Sequence, residues 1–221
     1  MRRFLHTLLP GLVALVALSG CLKLDIDAKV RSDAKVDGTM IVGLSHDMMT
    51  MLDSLSALDT TPSKTPKSSK DQWAEAAKSI KKTAGVTDAR PYHQDGFDGV
   101  QLDFKAVSPA QVINLGNDST SVANPTGSQT KGKSTMSIVK TGDTFVLKGV
   151  LDLGQTSAKG TPGNGDALTK EMLKGSKPQL RVRFTFPGNV IKSNGKISGK
   201  SVTWTPVLGK DLVMTAEAKA G

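Results

Sequence analysis

The 221-residue chain carries a formal net charge of +9, one cysteine and only 4% aromatic residues. That length suits one ordinary domain or two small lobes, and a lone cysteine excludes an internal disulfide framework. With no basic stretch interleaved by aromatics, a base-stacking surface is excluded, so the expected partners of the excess charge are anionic head groups and envelope polymers, and no nucleic acid.

The chain opens with Arg2 and Arg3, followed by an apolar run from Leu8 to Leu18 that is too short to span a bilayer. A basic start, a short apolar core and small residues at its end read as a secretory signal. The junction Leu18-Ser19-Gly20-Cys21 resembles a bacterial lipobox. That resemblance implies diacylglyceryl attachment to the Cys21 sulfur and cleavage before it. The expected organisation is a signal peptide over 1–20 and one lipid-anchored domain over 21–219, held on the extracytoplasmic face of the cell membrane. Two acyl chains hold a protein where one is marginal, at about 0.8 kcal/mol per buried methylene. The alternative, an ordinary signal, leaves Cys21 as a chance thiol with no partner. No later segment approaches membrane-spanning length; Leu212 to Gly221 is short and carries Asp211, Glu217 and Lys219.

Past the signal, Leu24, Ile26, Ala28 and Val30 alternate with charged residues, predicting a half-buried strand. Val36-Asp37-Gly38 reads as a three-residue hairpin loop, which sets Ala34 opposite Met40. Met48, Met51, Leu52, Leu55 and Leu58 recur at helical spacing after Ser45 or Asp47 as caps. Beyond a Ser/Thr/Pro/Lys connector, a second helix from about Lys70 buries Trp73, Ala76, Ala77 and Ile80, with Ser69 and Gln72 as a capping box and Gly85 as its terminator. Strands follow over Val86–Tyr92 and Gly99–Ala106, joined at Asp95-Gly96. Ser108-Pro109 starts a short helix to about Leu115. A loop spans 116–133. Strands at Thr135–Lys140 and Thr144–Leu153 meet around Gly142-Asp143, then come a loop and a short helix over Ala167–Leu173. Strands at Gln179–Phe186, Ser201–Thr205 and Leu212–Ala218 close the chain, with Asn194-Gly195 as a hairpin turn. This pattern predicts an α+β fold: a curved, mostly antiparallel sheet with two main helices packed against one face.

Gly127 to Ser134 matches the phosphate-loop pattern G-x-x-x-x-G-K-[ST] letter for letter. That chemistry requires a strand before the loop and a helix after it. Here a polar loop precedes and a strand follows, so no nucleotide is expected. His46 and His93 have no partner at helical spacing, so no metal site is expected. No nucleophile elbow occurs, and Asp95 and Asp98 beside glycines are turn formers. The expectation is a non-enzymatic protein without a cofactor.

Two stretches carry a family likeness: Tyr92-His-Gln-Asp-Gly-Phe97-Asp-Gly99, and Phe186-Pro-Gly through Asn194-Gly195 to Trp204-Thr-Pro206. With the lipobox and the strand after it, they resemble the LppM family of actinobacterial lipoproteins over roughly 22–219. The resemblance implies a β-rich, cavity-bearing body and an association with phospholipids or mannosylated phosphatidylinositols. The matching motifs are turns and a core tryptophan, so no ligand-contact residues carry over from the family. The expected site, read from this chain's own residues, puts the acyl chains of a phospholipid or glycolipid between helices and sheet, near Met48, Met51, Leu55, Trp73, Phe104 and Phe184. Lysines, or Arg181 and Arg183 on one face of a strand, meet the phosphate at the mouth. The alternative is a scaffold or interaction module that binds a partner protein or cell-wall polymer without a small ligand.

Overall fold

Strand β1 (Leu22–Val30) begins at the residue that follows Cys21 and runs down the centre of the larger of two sheets. The computed structural model describes residues 22–57, 69–115, 134–153, 179–207 and 210–221. In chain order the further elements are β2 (Val36–Ser45), α1 (His46–Ala57), α2 (Ser69–Ile80), β3 (Val86–Gln94) and β4 (Phe97–Val107). A short helix α3 (109–115) follows. Then come β5 (Thr135–Thr141), β6 (Thr144–Leu151), β7 (Gln179–Thr185), β8 (Val190–Ser193), β9 (Lys196–Ser198), β10 (Ser201–Trp204) and β11 (Leu212–Lys219).

The seven-stranded sheet has the order β3-β4-β2-β1-β7-β10-β9, and a four-stranded sheet the order β5-β6-β11-β8. Neither closes into a barrel. All pairings are antiparallel except β1 with β7, which run parallel from Lys23 opposite Gln179 to Lys29 opposite Thr185. The α+β, mostly antiparallel expectation is borne out, with the strands divided over two sheets. α1 packs on β2 and β4, and α2 on β3 and β4.

Period-two alternation decides which face is buried. Leu24, Ile26, Ala28 and Val30 face inward beside Met40, Val42 and Leu44. Val182 and Phe184 of β7 and Val202 and Trp204 of β10 continue this face, with Trp204 edge-on to Phe184 at 6.3 Å between ring centres. Phe145, Leu147 and Met214 of the smaller sheet join the same core. Each such side chain contributes about 1.5–3 kcal/mol by leaving water.

Local signals position the helices. Met48 N–H donates to the Ser45 hydroxyl at 3.3 Å, so Ser45 caps α1. Ser108 and Gln111 bond reciprocally, N–H to Oε1 at 2.8 Å and N–H to Oγ at 3.3 Å, ahead of α3 with Pro109 at its first position. At Asp95-Gly96 both residues have positive φ, 56° and 76°, the two-residue turn that matches strand twist.

The β1–β2 turn differs from the expected Val36-Asp37-Gly38. Val30 pairs with Val36, the turn occupies 31–35, and Ile26 rather than Ala34 faces Met40. Arg31 N–H donates to the Lys35 carbonyl at 2.8 Å, and Ala34 takes φ 61°. Gly38 is instead a mid-strand residue at a bulge against β4, where a Cβ would collide with the Asp27 carbonyl oxygen and press on the Phe104 ring. The shift is an even number of residues, so the inward faces match as expected. Asn194-Gly195 likewise differs. It joins β8, paired with β11 in the smaller sheet, to β9, paired with β10 in the larger one. The capping serine Ser69, the connector, both long loops and the expected helix over Ala167–Leu173 lie outside the described residues or side chains.

Candidate polar groove on the outward sheet face

The face of the larger sheet opposite the helices is charged because the odd-numbered residues of β1 and β7 point there together. The parallel register sets Asp25 beside Arg181 and Asp27 beside Arg183. Arg181 donates from Nε to Asp25 Oδ1 at 2.8 Å and from Nη2 to Oδ2 at 2.9 Å, a bidentate pair. Its Nη2 also lies 3.9 Å from Asp27 Oδ2, and Arg183 Nη1 lies 3.7 Å from the same oxygen. The hydrogen bonds it donates to Asp25 hold the Arg181 guanidinium above its ordinary pKa. Two shallow depressions, wide open to solvent, lie here, each about 450 Å³. One is lined by Lys23, Asp25, Asp95, Gln179 and Arg181, the other by Asp25, Asp27, Lys29, Asp37, Ile41 and Arg181. They share Asp25 and Arg181, so they form one polar groove along β1 over an apolar floor at Ile41.

The end of the groove nearest Leu22 is fixed by a lysine that sequence reading passed over. Lys23 stands in a row with Gly43, Gly99 and Tyr92 on four neighbouring strands. The two glycines leave a trough that the lysine side chain crosses. Its Nζ reaches Asp95 Oδ2 at 2.8 Å and lies 5.1 Å from the Tyr92 ring centre and 5.4 Å from that of Phe97. Tyr92 donates its hydroxyl to the same Asp95 oxygen at 2.8 Å. Burial lowers the Lys23 pKa, but the hydrogen bonds to Asp95 and Tyr92 outweigh it and the net shift is upward. No local pattern marks this latch, since the row exists only once the register of four strands is set.

A second polar cluster sits at the same sheet end, on the helix side. Asp98 accepts from or shares protons with His46 Nδ1 at 2.8 Å and His93 Nδ1 at 2.6 Å. Burial pushes the Asp98 carboxyl up, while the two imidazole hydrogen bonds pull it down and prevail. Among the described residues no group of three or more histidines, cysteines or acids is arranged to hold a metal ion.

The expected lipid-lining residues separate into two sets. Met48, Trp73, Phe104 and Phe184 meet in the core, none more than 4% exposed. Met51 and Leu55 lie on α1, but their side chains, like all of Cys21, are outside what is described. Arg181 and Arg183 stand on the opposite face of the sheet from that core. An arrangement with acyl chains against the core side chains and these arginines at its mouth is therefore corrected: period-two alternation turns Val182 and Phe184 inward and both arginines outward. Ser134, last residue of the phosphate-loop pattern, accepts the Asp152 N–H at 2.9 Å, and a strand follows it.

These features define an open, two-sheet α+β domain whose larger sheet keeps one face for the core and one for solvent. The family model of the LppM domain matches residues 23–220, and the chain belongs to the LppM family. The solved folded domain of Mycobacterium tuberculosis LppM, determined by NMR, is similar at a TM-score of 0.52 and 18% identity, with 91% of each chain covered. At that identity the likeness is one of fold. No curated protein matches the sequence. No described helix is long and apolar enough to cross a membrane.

Proposed function

We propose that this protein is a non-enzymatic envelope lipoprotein, anchored through acylated Cys21 on the extracytoplasmic face of the membrane, that engages the head group of a phospholipid or glycolipid in the polar groove. The observation that carries the reading is the groove's position: it starts at Lys23 and Gln179, beside the strand end that follows Cys21. A lipid in the same bilayer then reaches the groove with its head group alone. Its acyl chains stay in the membrane and need no room among Met48, Trp73, Phe104 and Phe184. Arg181, held flat by Asp25, keeps N–H donors for phosphate or hydroxyl oxygens, and Asp27 and Asp37 accept from hydroxyls. The test extracts the acylated protein gently from its membrane and identifies the lipids that accompany it. The Arg181→Ala variant is expected to lose a specific polar lipid that the wild type retains. Identical lipid profiles would refute the assignment, and a thiol without acyl chains would refute the anchor separately.

A further inference from the structure

The charges of the larger sheet are sorted end to end. At the end that follows Cys21, Lys23 is spent on Asp95, Asp98 is shared by His46 and His93, and Asp47 is exposed. The nine-residue strand β1 places the opposite rim about 30 Å away. There the turn over 31–35, the end of β4 and the turn after α2 meet. Lys105 N–H donates to the Gly85 carbonyl at 2.9 Å, and Ala106 N–H to Asp37 Oδ1 at 2.7 Å. The acids of this rim already have cations: Asp33 and Asp37 pair with Arg31, and Asp88 pairs with Lys81 and Arg90. Asp103, on β4 nearby, pairs with Arg90. Exposed Lys29, Lys82 and Lys105 form no salt bridge with a carboxylate among the described residues, and exposed Lys35 feels only the nearby charge of Asp33, which Arg31 already pairs.

We propose that this rim is a docking surface for a polyanionic polymer of the envelope, one that repeats phosphate or carboxylate groups along its length. Four ammonium groups on three separate segments, of which only Lys29 lines the groove, suit an extended chain better than a compact ligand. Lysine is a mobile point charge without the fixed fork of arginine, which fits irregularly spaced anions. The proposal differs from head-group binding in its occupant and in its use of Lys35, Lys82 and Lys105, which do not line the groove, while Lys29 and Asp37 border both. Only its direction, outward from the bilayer, rests on the anchor.

The test uses the acylated full chain in phosphatidylcholine vesicles and long-chain inorganic polyphosphate as probe, at about 50 mM salt where surface charges are weakly screened. A triple variant, Lys35→Glu with Lys82→Glu and Lys105→Glu, is compared with a control triple on the smaller sheet, Lys148→Glu with Lys192→Glu and Lys219→Glu. Both change net charge equally. The rim variant is expected to lose roughly tenfold or more in affinity and the control much less, because local rather than total charge holds the chain. Equal losses, or no binding by the wild type, would overturn the proposal. The Cys21→Ser protein in solution separates the two readings: it is expected to bind polyphosphate as the wild type does while failing to sediment with vesicles.

Discussion

Replacing Asn194 by alanine removes a side chain that ties the two sheets together at the β8–β9 crossing. Its Oδ1 accepts from Trp204 Nε1 at 2.8 Å and from Thr215 N–H at 2.9 Å, and its Nδ2 donates to the Val213 carbonyl at 2.7 Å. Trp204 lies in the larger sheet and is 3% exposed, so its indole N–H is stranded in the variant. Asn194 itself is exposed, so water reaches the two β11 groups and moderates their loss. One stranded donor and two weakened bonds come to about 2 kcal/mol. For a chain of this size that lowers the melting temperature by roughly 4–8 °C. Asn194→Asp keeps both accepted bonds, loses only the donor to Val213, and is expected to cost about 1 kcal/mol. Thermal unfolding followed by near-UV circular dichroism reads both, with Trp204 as an intrinsic reporter. A melting temperature unchanged in Asn194→Ala, or an aspartate variant as unstable as the alanine one, would refute the junction.

Phe184→Ala empties a site with no exposed surface and is expected to cost about 3–5 kcal/mol, read as a lower urea midpoint. Lys23→Met keeps the stem over Gly43 and Gly99 but removes the cation from Tyr92 and Phe97; at about 0.5–1 kcal/mol per ring, a loss of about 1–2 kcal/mol is expected in urea unfolding. Asp98 has a depressed carboxyl pKa in the folded protein, so its contribution is present above the ordinary carboxylate pKa of about 3.9 and is lost as pH falls through the depressed value. Asp98→Asn is therefore expected to destabilise at neutral pH and to match the wild type at the acid end of a denaturation series; a gap that persists in acid would contradict this.

The inward faces were legible because alternation survives errors of register. Displacing the β1–β2 turn from 36–38 to 31–35 moved every partner of β1, yet Leu24, Ile26, Met40 and Val42 still met inside. The turn itself was misread because Asp37 and Gly38 have turn chemistry for other reasons. Asp37 accepts the Ala106 N–H, and Gly38 yields space to Phe104. The groove was less legible. The spacing of Arg181 and Arg183 showed that they share a face, but which face depends on the parallel pairing of β1 with β7, and Asp25 and Arg181 stand 156 residues apart. No local period reports a contact across that separation. The Lys23 latch was hidden for the same reason, since Gly43 and Gly99 acquire meaning only in register.

The central claim is that head groups enter the outward groove while acyl chains stay out of the core. Photo-crosslinking on vesicles tests it directly, with one lipid carrying a diazirine on its head group and another carrying it at the end of an acyl chain. The head-group probe is expected to label β1 and β7 around Asp25, Asp27 and Arg181, and the acyl probe to leave Met48, Trp73, Phe104 and Phe184 unlabelled. Acyl-probe adducts on those four core residues, with none on the groove, would contradict the account.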